Sequence, residues 1–342
     1  MRLKNLVYCL PLAVCTILPF AHAQPGPYAV IDRWTIGGEG GWDYLTMDSV
    51  AHLLYVTHGT RVEVIDTKTG KSVGAITGLK GTHGVALDSD GKYGYISEGA
   101  GNNVVVFDRK SFAKVESIPA GTNPDGIIFE PVTKTVWAFN GKSSDATVID
   151  TAAMKVIGTV KLSGKPEFPQ VDGKGTVFVN IESKNSIVRL DAKSLKVAAE
   201  WPLTGCESPS GLTMDTVGRR LFSVCDEKVM SVTDADSGKI LKLVPVGDGP
   251  DAARYDAVNH LAFSSNGEGT LTVVDTSTSD YKVIQTLPTQ KSARTMAMDT
   301  STDTIYLAAA VMGPKPAATA ENPRPRATVT PGSFTILVVG RK

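Results

Sequence analysis

Acidic residues recur along this chain in two registers with a period of about 42 residues, and this repetition constrains the fold more than any other feature. The first register contains Asp48, Asp88, Glu130, Asp172, Asp215, Asp256 and Asp299. The second contains Asp66, Asp108, Asp150, Asp191, Asp234 and Asp275. A period of about 40–45 residues with four short strands per unit is typical of a β-propeller blade.

The unit at 122–164 illustrates the pattern inside one repeat. Its β-forming runs lie at 127–129, 135–139, 146–149 and 156–160, and polar turn residues separate them. This spacing predicts all-β structure, and no stretch keeps the apolar period of a stable helix. We expect the recurrent acids to open turns by accepting hydrogen bonds from nearby main-chain N–H groups.

Seven copies of the first register predict a seven-bladed β-propeller with four-stranded antiparallel blades. The last copy lacks a fourth strand, because the chain ends soon after the apolar run at 334–339. A β-forming segment at 28–36 precedes the first complete unit. We therefore expect the N-terminal strand to complete the seventh blade and close the ring, which removes exposed sheet edges.

The first 23 residues predict a secretory signal peptide. Arg2 and Lys4 precede an apolar run at 6–20, and Ala21 and Ala23 form a small-x-small cleavage site. Residues 24–342 would then be a single propeller domain, periplasmic or secreted; a lipid anchor at Cys15 is the alternative.

No later run reaches the ~18 apolar residues of a membrane span. Nearly balanced charge without a basic stripe argues against a nucleic-acid partner.

Two cysteines, Cys206 and Cys225, lie outside the predicted signal peptide. In the repeat register the first precedes the opening strand of the fifth blade and the second ends its second strand, so both fall at one rim. In an exported protein this placement predicts a disulfide, and closing a loop of ~20 residues would contribute about 3 kcal/mol. The alternative is a free pair that binds a soft metal, although no His or third Cys is near in sequence.

Three short segments, 54–57, 95–97 and 305–307, each precede a Val-x-Val-Ile-Asp-like strand. They resemble the YVTN-repeat (YncE-like) family of seven-bladed β-propellers. The resemblance covers about residues 28–340, although Phe139, Phe178 and Phe222 stand where Tyr-Val is usual. It implies an exported or surface protein that forms a monomeric ring with a central funnel, without an assigned chemistry.

A ligand site would lie where the loops entering the blades meet the loops between second and third strands, because both open on one face of a propeller. The candidate ligand-binding side chains at this mouth are Asp43, His58, His83, Asp125, Glu167, Asp251 and Arg294. They differ between blades whereas the turn-forming acids recur, as expected of a site added to a repeated scaffold. An ordinary solvated rim is the alternative.

Oxygen-bearing side chains at the mouth could hold one divalent cation such as Ca²⁺, which takes six to eight oxygen ligands. The candidate metal ligands are Asp43, Asp125, Asn140, Glu167 and Asn180. Such a cation would polarise a carbonyl while Glu167 or Asp125 acted as a catalytic base, as in calcium-dependent lactonases. A transition-metal site that uses His58 and His83 is a further alternative.

A proline-rich insertion at 313–332 falls between the second and third strands of the seventh blade, and therefore on the mouth face. Proline at this density favours extended polyproline conformation. The insertion would be either a mobile decoration or a flap whose Arg324 and Arg326 lean over the funnel.

Together these features favour an exported binding or scaffold module that recognises a small ligand or a protein partner at the mouth. A lactonase-like, metal-dependent hydrolase is the alternative, and a purely structural protein is the third reading. The sequence contains no Gly-x-Ser-x-Gly segment and no glycine-rich phosphate motif, so nucleophilic serine and nucleotide chemistry are not supported.

Overall fold

The computed structural model describes residues 26–319 and 327–342 and shows the predicted all-β, seven-bladed propeller. Each blade is a four-stranded sheet with its strands paired in antiparallel order. The predicted signal peptide at 1–23 lies outside the described residues, as do Arg324 and Arg326. Within the two described ranges, no helix is long and apolar enough to cross a membrane.

The first three blades follow an initial strand, β1 (Tyr28–Thr35). Blade one contains β2 (Trp42–Asp48), β3 (Leu53–His58), β4 (Arg61–Asp66) and β5 (Lys71–Ile76). Blade two contains β6 (Thr82–Leu87), β7 (Tyr93–Glu98), β8 (Asn103–Asp108) and β9 (Lys114–Pro119). Blade three contains β10 (Pro124–Glu130), β11 (Thr135–Asn140), β12 (Asp145–Asp150) and β13 (Lys155–Lys161).

The next three blades repeat this order. Blade four contains β14 (Pro166–Val171), β15 (Thr176–Ile181), β16 (Ser186–Asp191) and β17 (Lys196–Pro202), with the single-turn 3₁₀ helix η1 (Glu182–Lys184) after β15. Blade five contains β18 (Leu212–Asp215), β19 (Arg220–Cys225), β20 (Val229–Asp234) and β21 (Ile240–Pro245). Blade six contains β22 (Pro250–Asp256), β23 (Leu261–Asn266), β24 (Thr270–Asp275) and β25 (Lys282–Pro288).

The seventh blade closes the ring as predicted. It contains β26 (Thr295–Asp299), β27 (Thr304–Ala309) and β28 (Thr335–Arg341), and β1 supplies its outer strand. β1 runs antiparallel to β28, with Tyr28 opposite Arg341 and Thr35 opposite Thr335. The fully buried Tyr28 ring also packs edge-on against Phe263 of blade six, with ring centroids 5.3 Å apart. The N-terminal strand therefore joins two blades.

The apolar core lies between neighbouring blades rather than inside one sheet. Tyr55 of blade one and Phe107 of blade two belong to one buried cluster, with ring centroids 5.7 Å apart. Because a central strand has a blade on each side, both of its faces are covered. This explains the continuous apolar run at 104–107, whereas the outer strand β9 is largely exposed.

The recurrent acids form the turns, as expected. Each acid of both registers accepts at least one hydrogen bond from a main-chain N–H group a few residues ahead. Asp48 accepts from Ala51 at 3.0 Å, and Asp108 accepts from Ser111 at 2.8 Å. These acids therefore have a structural role in the blades.

Cys206 and Cys225 form the predicted disulfide, with Cα atoms 5.3 Å apart and both residues buried. The bond ties the loop before β18 to the end of β19, on the mouth face of blade five. The free, metal-binding pair considered from the sequence is therefore wrong.

Candidate functional site

One position in the repeat supplies the side chains that meet at the propeller axis. It lies five residues before each acid of the first register. We call its seven occupants the mouth ring: Asp43, His83, Asp125, Glu167, Ser210, Asp251 and Arg294. All seven line one cavity of about 250 Å³, which we call the mouth cavity.

Irregular pairing in the innermost strands directs these side chains toward the axis. In blades one, two, three, four and six, the register between the first and second strands shifts at the mouth-ring residue. In blade one, for example, the shift falls between Trp42 and Leu45, so Asp43 and Tyr44 leave the regular ladder. An extra residue of this kind re-aims side chains, and such bulges are common beside functional sites.

Hydroxyl groups on the second strands hold this irregular main chain in place. Ser97 Oγ donates to Asp125 O at 2.5 Å and accepts from Gly84 N–H at 2.8 Å. Thr57 Oγ1 donates to Tyr44 O at 3.0 Å and accepts from the N–H group of Asp43 at 3.2 Å. In blades one to three, hydroxyl groups of the second strands therefore hold the main chain of Asp43 and Asp125 in place.

Glycine at one ring-adjacent position permits close approach of the next blade. A Cβ atom at Gly126 would lie 2.5 Å from Glu167 O, a distance that real Cβ atoms do not adopt. The missing side chain lets blades three and four bring Asp125 and Glu167 together.

His83 lies between two carboxylates of neighbouring blades. Its Nδ1 atom is 2.6 Å from Asp43 Oδ2 and 3.6 Å from Asp125 Oδ1. One ligand atom from each of the three residues lies within 4.8 Å of the other two. Burial acts to lower the pKa of His83, but the hydrogen bond to Asp43 and the charge of Asp125 outweigh it, and the pKa is raised.

The other half of the mouth ring consists of ion pairs. Arg294 NH1 pairs with Asp251 Oδ2, and Ser210 Oγ donates to Asp251 Oδ1 at 2.9 Å. Lys165 Nζ lies 2.6 Å from Glu167 Oε1 and also pairs with Glu182. Both cations therefore already contact carboxylates inside the protein.

Among the described residues, acid groups outnumber basic groups around the mouth cavity. Six carboxyl groups of this part of the chain line it, against Lys165, Arg294 and His83. Burial and the charge of Asp43 raise the pKa of Asp125 to about 6. Burial and the charge of Asp125 raise the pKa of Glu167 to about 8. The cavity thus resists complete ionisation of its carboxyl groups, because water cannot screen like charges there.

An aromatic pair closes the bottom of the cavity. The rings of Tyr44 and Phe168 lie with centroids 4.2 Å apart, and both residues are more than nine-tenths buried. The Tyr44 hydroxyl is buried and has no hydrogen-bond partner among the described residues. Burial, followed by the charges of Asp125 and Glu167, holds the pKa of Tyr44 well above its usual value. A neutral hydroxyl group therefore faces the acidic half of the mouth ring.

The insertion of blade seven forms a second cavity beside the first. This groove of about 460 Å³ shares Trp42 and Arg294 with the mouth cavity and is also lined by Met312, Thr328 and Val329. The described ends of the insertion pair through an antiparallel bridge between Met312 and Val329. We call the described segments around this bridge the strap, and they line the groove next to the mouth cavity.

Three candidates from the sequence lie away from the mouth cavity. His58 is 1% exposed and stacks on Phe334, with ring centroids 4.3 Å apart. Asn140 donates to Asp145 Oδ1 at 2.8 Å and to Thr147 Oγ1, while Asn180 donates to Ser210 O at 2.9 Å. The structure does not bring the three side chains to the mouth cavity, because each packs or bonds within or between blades.

The remaining six candidates meet in the mouth ring, and the structure adds residues that the sequence analysis did not nominate. Ser210 occupies the same repeat position, so the register itself could have identified it. Lys165 comes from a loop and Glu182 from the single-turn helix η1, at surface positions where polarity is expected in any case. Tyr44 carried no signal, since a tyrosine in an inner strand usually indicates core.

No family model and no curated protein matches this chain. The chain is similar in structure to Kuenenia stuttgartiensis hydrazine synthase, with 17% identity, TM-score 0.69, and coverage of 85% of this chain and 96% of that chain. U3-55K aligns at 9% identity and TM-score 0.74, covering 91% and 98%. The WD40 repeats of RRP9 align at 10% identity and TM-score 0.76, covering 93% and 99%. At these identities the likeness shows the propeller fold alone.

Proposed function

We propose that this protein is a binding module that takes a compact cationic ligand into the mouth cavity. The observation that carries the proposal is the convergence of Asp43, Asp125, Glu167 and Asp251 on one enclosed space above the unpartnered Tyr44 hydroxyl. Asp251 is paired with Arg294 and Glu167 with Lys165, which leaves the carboxylates beside His83 as the strongest attraction for a cation.

The raised pKa values of Asp125 and Glu167 support this ligand charge. A cation in the cavity would replace protons as the charge that balances the crowded carboxylates. Binding would then be stronger at higher pH, because fewer protons compete for the same oxygen atoms.

The proposal includes export and membership of the YVTN-repeat family. The Cys206–Cys225 disulfide is typical of proteins from oxidising compartments. Cell fractionation against a periplasmic marker tests export directly, and cytoplasmic retention would remove this part of the proposal without affecting the mouth cavity.

A fluorescence thermal-shift panel of divalent metal ions and small organic amines tests the proposed ligand class. We expect a saturable rise in the melting temperature with at least one cation. The rise should disappear in an Asp125→Asn, Glu167→Gln double variant. Asp90→Asn is the matched control, since this carboxylate is 70% exposed in a turn of the opposite face. A panel without any cation response, or a response that the double variant keeps, would refute the proposal.

A metal-dependent hydrolase is the second candidate function. The observation that favours it is a protonatable carboxyl, Glu167, in the same cavity as the cluster of Asp43, His83 and Asp125. A group with a pKa near the working pH suits general acid or base catalysis. Lactone hydrolysis that requires a divalent cation and is abolished in Glu167→Gln would establish this function, whereas stoichiometric binding without turnover would exclude it for the lactones tested.

A further inference from the structure

We infer that Asp43, His83 and Asp125 form a centre for one divalent transition-type metal ion. The inference rests on the proposed function and narrows the cationic ligand to one chemical class. The proposed ligand set differs from the oxygen-only set predicted from the sequence, because the side chains of Asn140 and Asn180 form hydrogen bonds away from the mouth cavity.

The spacing of the three ligand atoms suits such an ion. His83 Nδ1 lies 2.6 Å and 3.6 Å from oxygen atoms of Asp43 and Asp125. Ligand atoms bound to one metal at about 2.1 Å stand roughly 3.0–3.4 Å apart in octahedral or tetrahedral geometry. Small rotations of the three side chains would therefore bring them to bonding distance without moving a strand.

Tyr44 supplies an independent observation. A buried hydroxyl without a partner destabilises the fold unless something absent from the protein chain bonds to it. Tyr44 lines the mouth cavity, and its buried hydroxyl has no hydrogen-bond partner among the described residues. A water molecule bound to the metal would satisfy this hydroxyl.

The donor set indicates which ions fit. One imidazole nitrogen with two carboxylates suits Mn²⁺, Fe²⁺, Co²⁺, Ni²⁺ or Zn²⁺, whereas Ca²⁺ and Mg²⁺ prefer oxygen ligands alone. Three protein ligands leave coordination positions open for water or a small ligand. Glu167 and Tyr44 line the same cavity and would be available to a ligand bound there.

The residues behind the ligands prepare the centre. Ser97 and Thr57 fix the main chain of Asp125 and Asp43 through the bonds described above. A Cβ atom at Gly99 would lie 2.5 Å from His83 Nε2, so the glycine leaves room for the imidazole ring. Such support from outside the ligand set is typical of metal centres.

Isothermal titration of the chelator-stripped protein with Zn²⁺, Mn²⁺ and Ca²⁺ tests the inference, together with the visible spectrum of added Co²⁺. We expect one transition-metal ion per chain, bound more tightly than Ca²⁺. Affinity should fall at least about tenfold in His83→Gln and in Asp43→Asn, since loss of a ligand exceeds the loss of a supporting contact. Asp90→Asn should bind as the wild type does.

Two results separate this inference from the proposed function. If a cation binds through Asp125 and Glu167 but His83→Gln and Asp43→Asn keep full affinity and the same Co²⁺ spectrum, the metal centre is wrong and the cationic cavity stands. If no cation binds, both are wrong. Circular dichroism and melting temperature identify a variant that fails to fold. The affinity of the other ligand variant then shows whether the metal centre is correct.

Discussion

At the scale of single residues, the mouth ring is a repeat position whose residue type differs between blades, whereas the turn-forming acids recur in every blade. The acid that ends the first strand of each blade must form a turn and is therefore Asp or Glu in all seven copies. Five residues earlier, the side chain faces the central space and contributes little to its own blade. Seven blades therefore place four carboxylates, a histidine, a serine and an arginine there.

Glu167 should make the stability of the metal-free protein depend on pH. Its folded-state pKa of about 8 is raised by burial and by Asp125 and Glu182, against the opposing Lys165. The folded state therefore favours the protonated carboxyl. Its contribution to stability is complete below the unfolded pKa of about 4.5 and is lost as the pH rises through about 8.

The variant Glu167→Gln should remove this loss of stability at high pH, because glutamine does not ionise. We expect the variant to be more stable than the wild type at pH 9, by at most about 5 kcal/mol, since the pKa of the carboxyl falls from about 8 to about 4.5 on unfolding and one pKa unit corresponds to about 1.4 kcal/mol. At pH 5 the two proteins should differ little. Urea unfolding from pH 5 to 9 in the presence of a chelator measures this, with Asp90→Asn as the control. Parallel stability curves for wild type and Glu167→Gln would contradict the assignment.

Six of the seven mouth-ring residues were nominated from the sequence, and all seven could be predicted from it, because register alone places them, Ser210 included, at one end of the innermost strands. The bulges that turn five of these side chains inward could not be predicted, since no residue type marks an irregular pairing. Asn140 and Asn180 were predicted as metal ligands because each lies at the mouth end of a second strand. Their side-chain amides instead donate hydrogen bonds, Asn140 to Asp145 and Asn180 to the main chain of Ser210.

At the scale of elements, the disulfide compensates for a short inner strand. β18 has only four residues, against seven in β10 and β22. The preceding loop, which carries Ser210, is held by hydrogen bonds of Ser210 and Gly211 to the main chain of Val224 and by the bond between Cys206 and Cys225. This covalent tie keeps blade five in register at the mouth.

Removing the disulfide should destabilise the protein without changing its fold. For the Cys206→Ala, Cys225→Ala double variant we expect a loss of about 3 kcal/mol, because the unfolded chain is no longer constrained over a loop of ~20 residues. Urea unfolding with and without a reductant measures the loss. The reductant should affect the wild type alone, and equal midpoints for oxidised and reduced wild type would contradict the prediction.

The fold itself was predictable at this scale because the period, the four runs per unit and the incomplete last unit all agree. The structure of the insertion was not. Its position between β27 and β28 follows from the register, but the bridge between Met312 and Val329 that forms the strap depends on packing beside Trp42.

At the scale of the whole molecule, closure makes the central site possible. β1 pairs along the full length of β28. The side chain of Gln285 in blade six accepts a hydrogen bond from the N–H group of Tyr28 and donates one to the carbonyl oxygen of Tyr28. Blades six and seven also meet through the Asp251–Arg294 ion pair and the hydrogen bond from Ala252 N–H to Arg294 O, and β1 adds the contact at their outer side.

The variant Tyr28→Ala should weaken closure. Loss of a fully buried aromatic ring costs about 3–5 kcal/mol. Tyr28→Phe is the matched control and should be nearly neutral, since the hydroxyl has no hydrogen-bond partner among the described residues. Thermal unfolding and size-exclusion chromatography compare the two. Equal stability of Tyr28→Ala and Tyr28→Phe would show that the N-terminal strand does not hold the ring.

Anomalous diffraction from crystals grown with Zn²⁺ or Mn²⁺ tests most directly whether residues from separate blades build one cation site. We predict a strong peak in the mouth cavity, about 2.0–2.2 Å from side-chain atoms of Asp43, His83 and Asp125. Peaks confined to the outer surface, with none between these three residues, would contradict the account.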